Sequence, residues 1–157
     1  MIKKSMLLMA AISFFCVNIL VAQSQNNSPS SEFIKYSKNV NDPLTAKELG
    51  FIEEVYQDKA EQEVLQNAQV LKDIKHLLRN RILIYKVDDD SKHKKCQLLS
   101  EVPLFNDFNS GLKRDTIFNL DTFNPLKYKL KFFGKGTYLY RIDNTNYYIQ
   151  VTSQYRQ

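Results

Sequence analysis

An α+β domain is the fold this sequence predicts, and three observations predict it. Apolar residues recur in steps of three and four between positions 49 and 78, which is helical spacing. A β-branched and aromatic run follows at once over residues 81–87. Apolar and polar residues then alternate between positions 126 and 151 around two turn signals, the pattern of strands buried on one face. The 157 residues suit one such domain, and 43% hydrophobic with 25% charged residues excludes both a disordered tail and a membrane bundle.

The chain opens with an export signal. Met1-Ile2-Lys3-Lys4 is a basic start, residues 6–22 are almost wholly apolar, and a polar Ser/Asn/Gln stretch follows abruptly. That order predicts a secretory signal peptide over residues 1–22, cleaved after Ala22. The alternative is a retained anchor. A spanning helix needs about 17–25 residues, so this run stands at the lower limit, and Asn18 interrupts it. Cys16 is a poor lipidation site, because bulky Phe14 and Phe15 precede it and the apolar run continues to Ala22. Cleavage leaves Cys96 as the only cysteine, so a packed core rather than a disulfide framework is expected to hold the fold. It also lowers the formal charge from +5 to +3, a poor balance for binding nucleic acid.

Residues 23–41, rich in Ser, Asn and Gln, read as a flexible spacer, with the single domain spanning 42–157. Its first helix is announced by Pro43, by a capping box of Thr45 with Glu48, and by Leu44 and Leu49 at the positions of a hydrophobic staple. The periodic residues (Leu49, Ile52, Tyr56, Ala60, Val64, Ala68, Leu71, Ile74 and Leu78) are too many for one helix in a small domain. Asp58 with Glu61 forms a second, weaker capping pair, so a helix pair with a break near residues 57–60 is expected. Lys72, Lys75, His76, Arg79 and Arg81 crowd the second C-terminus, where positive charge complements the helix dipole, and Asn80 is a candidate left-handed terminator.

Residues 81–87 read as a strand that pairs with residues 96–102 across a charged loop at 88–95, and Pro103 ends the second strand. Residues 104–123 carry one short β-like run, Thr116-Ile117-Phe118. The C-terminal third predicts a three-stranded antiparallel meander. A turn at Gly134-Lys135-Gly136, with Gly136 left-handed, would pair Phe132 with Tyr138, Leu130 with Tyr140 and Tyr128 with Ile142. A second turn at Asn144-Thr145 would pair Ile142 with Tyr147, Tyr140 with Ile149 and Tyr138 with Val151. Those nine residues would form one buried face. The opposite face would carry Lys127, Lys129, Lys131, Arg141 and Tyr148 outward, a basic stripe suited to an anionic partner or to keeping the sheet soluble.

Chemistry-bearing motifs are weak. His93 and Cys96 stand three apart, a spacing found in metal sites, but no second cluster accompanies them. Asp88-Asp89-Asp90 lacks the glycine and glutamate of a calcium loop, with His93 and Leu99 at those positions. Ser110-Gly111-Leu112-Lys113 matches the Ser/Lys acyl-enzyme pattern without its companion elements. Gly134-Lys135-Gly136-Thr137 lacks the residues that precede it in a phosphate loop. Asp115-Thr116-Ile117 resembles the short acceptor used for periplasmic O-glycosylation, and it also suits an ordinary strand start. No cofactor is expected.

Leu44-Thr45-Ala46-Lys47-Glu48-Leu49, Leu77-Leu78-Arg79-Asn80-Arg81-Ile82, Phe123-Asn124-Pro125-Leu126 and Tyr140-Arg141-Ile142-Asp143-Asn144-Thr145 together resemble a family of small exported proteins of outer-membrane bacteria with no established function. The resemblance implies export and brings no catalytic residues. The expectation is therefore a non-enzymatic periplasmic or surface protein that binds an envelope partner, without a membrane span once the leader is gone and without nucleic acid. The alternatives are a binder of anionic glycan or lipid head groups through the basic sheet face, and a small hydrolase built around Ser110 or Cys96.

Overall fold

A computed structural model of the chain describes residues 34, 36–88 and 95–154. The expected leader, residues 23–33 of the expected spacer, and most of the 88–95 loop with His93 lie outside them. The first helix, α1 (Ala46–Tyr56), starts on the expected capping box: the Glu48 amide donates to Thr45 Oγ1 at 3.1 Å, and the Thr45 amide to Glu48 Oε2 at 2.8 Å. It stops where the break was expected. Gln57 takes a positive φ of 51°, and its amide still reaches the Glu53 carbonyl. A 3-10 turn (Gln57–Lys59) and a π-helical turn (Glu61–Leu65) lead to α2 (Ala68–His76), which Asn67 caps through its side chain. Ile52, Val55, Ala60, Val64, Ile74 and Leu77 close one apolar cluster between these helices. Asn80 does not terminate the second helix in a left-handed conformation. A π-helical turn (Leu77–Arg81) feeds directly into a strand at Ile82.

Residues 36–41, at the end of the expected spacer, lie on α2. Val40 is buried in a 3-10 turn (Lys38–Asn41), and Tyr36 donates its hydroxyl to Asp73. The Lys72 ammonium sits 4.3 Å from the centre of the Tyr36 ring.

The sheet has four strands in the order β1-β4-β3-β2, where β1 is Ile82–Lys86, β2 Gln97–Leu98, β3 Tyr138–Arg141 and β4 Tyr147–Val151. It is mixed rather than antiparallel. The β3–β4 hairpin takes the expected register, with Tyr138 opposite Val151 and Tyr140 opposite Ile149. Its turn is built by Asn144 at φ 56° and by the Ile142 amide donating to the Tyr147 carbonyl at 3.0 Å. The other pairings differ from expectation. β1 pairs with β4, not with residues 96–102, and β2 lies parallel to β3, with Gln97 opposite Tyr140.

The third strand of the meander is absent as well. With β2 on the free edge of β3, no ladder position remains there for residues 126–132. That segment starts in a 3-10 turn (Pro125–Lys127) and continues through two i→i+2 turns, in which the Leu130 amide donates to the Tyr128 carbonyl and the Phe132 amide to the Leu130 carbonyl, each at 2.7 Å. Two backbone bonds tie it to residues 103–105: Lys129 N–H to the Pro103 carbonyl and Phe105 N–H to the Lys127 carbonyl, both at 2.8 Å. Gly136 has no positive φ, and the Thr116 region forms no strand. The nine alternating residues nonetheless share one core. Six are buried, and Phe132, Tyr138 and Tyr147 pack against them half-buried. Ile82 and Phe132 touch both this sheet-side cluster and the helical one.

Candidate functional site

The five residues expected on a basic sheet face do not form one. Lys127 turns inward, with a side chain only 6% exposed, and its ammonium lies 2.6 Å from Asp115 and 3.1 Å from Glu54. Burial alone lowers its pKa, but hydrogen bonds to Asp115 and Glu54 outweigh burial and raise it above the ordinary lysine value, so this lysine stays charged. Asn124 completes the cluster by donating to Glu54 and to the Phe51 carbonyl, both at 2.9 Å. The group ties the C-terminal half of α1 to the turn at 125–127 and to the loop carrying Asp115. Tyr148 is fully buried beside Tyr85, and Arg141 donates to the Thr145 carbonyl within its own hairpin. Lys131 lies over the Tyr138 ring, and its amide donates to the Tyr140 hydroxyl. Lys129 lines a concave surface with a largely apolar wall. The stripe presupposed a strand over 126–132; without that strand the lysines point to separate partners.

The concave surface is a cavity of about 350 Å³ between the helical and sheet-side clusters. Tyr56 from the end of α1, Phe105, Leu130, Phe132 and Phe133 supply most of its apolar wall. Lys129 and Asp107, paired at 2.9 Å, are its charged lining, with side chains 41% and 50% exposed. The Lys129 ammonium also sits 5.7 Å from the centre of the Phe105 ring. A neighbouring cavity of about 140 Å³ shares Tyr56, Ile74, Leu77, Phe132 and Phe133, and adds Asp73, His76 and Arg81. Phe133 borders both and is 74% exposed.

Local chemistry fixes this arrangement. Phe132 is held inward because the Arg81 guanidinium, itself buried, donates to the Phe132 carbonyl and, at 3.0–3.1 Å, to the Thr152 carbonyl. Residues 131–134 then form a tight turn, closed by the Gly134 amide donating to the Lys131 carbonyl at 3.3 Å, and Phe133 at its third position faces solvent. Burial raises the Tyr56 hydroxyl pKa, with nearby Glu63 adding to it, so Tyr56 stays neutral in the cavity wall. The sequence reading missed Phe133, although a signal was present: adjacent phenylalanines at 132 and 133 cannot both be buried on a period of two.

Two further concavities border the loop with Asp115 and Thr116. One, about 200 Å³, is lined by Ser100, Arg114, Phe118 and Asp143. Arg114 is engaged with the Leu99 and Val102 carbonyls. Asp143 accepts from the Ser100 hydroxyl at 2.5 Å and from its amide at 2.9 Å; burial pushes its pKa up, but these donors hold it below the usual range. The other, about 450 Å³, overlies the Lys127 cluster. Neither Ser110 nor Cys96 lines any of these four cavities. Burial raises the Cys96 thiol pKa against an opposing effect of Arg141, the reverse of what activates a nucleophile. No cluster of three or more His, Cys, Asp or Glu suited to a metal ion occurs among the described residues, and none of their helices is long and apolar enough to cross a membrane.

Comparison with protein-family models, with curated proteins and with solved structures gave no match.

Proposed function

We propose that this is an exported envelope protein that acts by binding rather than by catalysis, and that the aromatic cavity beside Phe133 is where it binds. The leader-like order of residues 1–22 supports export. The observation that carries the binding role is Phe133. A phenylalanine 74% exposed adds little to the core, yet it stands at the shared border of two apolar cavities. Cavities with mostly apolar walls and a few placed polar groups are the usual form of a small-ligand or anchor-residue site. The charged groups around the other concavities are engaged in holding loops: Lys127 with Glu54 and Asp115, Arg114 with two carbonyls, Asp143 with Ser100.

The test has two arms. Intact-mass measurement of envelope fractions should find a species starting at Gln23; a full-length species held in the membrane pellet refutes export by a cleaved leader. Protein purified from the envelope should retain a stoichiometric companion, molecular or macromolecular, that Phe133→Ser loses while keeping the wild-type melting temperature. Purification of wild type as a bare species refutes the binding role.

A further inference from the structure

We infer that the cavity beside Phe133 takes a single-chain amphiphile with a zwitterionic head group, its tail among the aromatic side chains and its head between Lys129 and Asp107. The inference rests on the proposed binding role and adds the chemistry of the ligand. Three observations carry it. The first is size. At about 350 Å³ the cavity lies at the low end of the 300–1,000 Å³ typical of ligand sites, room for one chain rather than two, and a separate space of about 140 Å³ shares Tyr56, Phe132 and Phe133 with it.

The second is the wall. Tyr56, Phe105, Leu126, Leu130 and Phe132 present an apolar surface, which favours a hydrocarbon tail without asking for directed hydrogen bonds. The exposed Phe133 ring would lose its own contact with water by closing over such a tail.

The third is the charge pattern. The cavity's charged lining is one cation and one anion, Lys129 and Asp107, about half exposed and 2.9 Å apart. An exposed pair of this kind contributes little to stability, so it can exchange partners at small cost. A purely anionic head group would gain Lys129 but face Asp107; a purely cationic one would meet the reverse. A head carrying an amine and a phosphate satisfies both, since the lysine ammonium has three donors and the carboxylate can accept from an added ammonium.

The experiment titrates protein purified from the envelope and stripped of bound material with palmitoyl-lysophosphatidylethanolamine below its micelle concentration, followed by calorimetry. Saturable binding with one ligand per chain is expected. Phe133→Ala should weaken it about tenfold with an unchanged melting temperature. Lys129→Gln and Asp107→Asn should each weaken it by about threefold or more. Palmitate, which lacks the amine, should stay sensitive to Lys129→Gln while Asp107→Asn leaves its binding equal or stronger. Absence of saturable binding, or binding indifferent to Phe133→Ala, overturns the inference. Lysophospholipid binding that Asp107→Asn strengthens overturns the zwitterionic head and favours a simple anion. If no amphiphile binds, yet a companion recovered from the envelope is lost by Phe133→Ser, the ligand assignment falls and the binding role stands. If both fail, both are refuted.

Discussion

The two cores of this domain are held by different physics. The sheet-side cluster of Tyr128, Leu130, Tyr140, Ile142, Ile149 and Val151 is aromatic and aliphatic throughout, and backbone ladders set its geometry. The helical side buries Glu48, Lys75, His76 and Arg81 around its apolar centre. There, side chains reach across to backbone. Arg79 pairs with Glu48 at 2.6 Å and donates to the carbonyls of Asn39, Asp42 and Pro43, while Lys75 donates to the Asp42 carbonyl at 2.7 Å. Strands carry their partners in the main chain. A helix has satisfied its own backbone and must be positioned by what its side chains grip. The sheet side should therefore fail through cavities and the helical side through charge.

The strongest test of that contrast is a cavity. Tyr140→Ala removes a buried ring and the hydroxyl that accepts from the Lys131 amide, and should cost about 3–5 kcal/mol in urea unfolding, equally at pH 5 and pH 7. A wild-type midpoint would mean that the central strand does not carry the core. Next comes acid. The Arg79 guanidinium, opposed by burial and aided by the Thr45 donors, lowers the Glu48 pKa from 4.5 to about 2. Between those values the unfolded chain binds more protons than the folded one. The stabilisation is therefore complete above about pH 4.5 and is lost as pH falls towards 2. Unfolding free energy should drop by about 2–3 kcal/mol over that window, and Glu48→Gln should flatten that part of the profile. An unchanged profile in the variant would break the charge half of the comparison.

Two lysines, two residues apart, sharpen it further. Lys127→Met leaves Glu54 and Asp115 facing each other without their cation; because both reach solvent, the cost should be about 1–2 kcal/mol rather than the full penalty of a sealed pair. Lys129→Met, at the half-exposed pair with Asp107, should cost under about 1 kcal/mol. Equal losses at both positions, measured by chemical unfolding at moderate salt, would mean that burial does not separate them.

Much of the helical side was legible in the residues themselves. The Thr45 and Glu48 capping box, the break at Gln57 and the apolar steps of three and four depend on neighbours within a turn or two. The β3–β4 hairpin was legible for the same reason: a short turn at Asn144 and strict alternation leave one register that buries Tyr140 and Ile149 together. The candidate cavity was hardly legible, because Tyr56, Phe105 and Phe133 meet only through folding.

Alternation over residues 126–132 correctly marked which side chains enter the core, and by itself determined that Tyr128, Leu130 and Phe132 point one way. It did not determine what the backbone between them pairs with. Side-chain period follows from local chain geometry, whereas a ladder needs a free edge. The tertiary structure had already given that edge of β3 to Gln97 and Leu98. Denied a strand, the segment bonds to residues 103–105 and to itself, so Lys127 turns into a charged cluster and Phe133 out to solvent. Periodicity is written in the sequence; competition for a shared edge is decided only when the whole chain is in place.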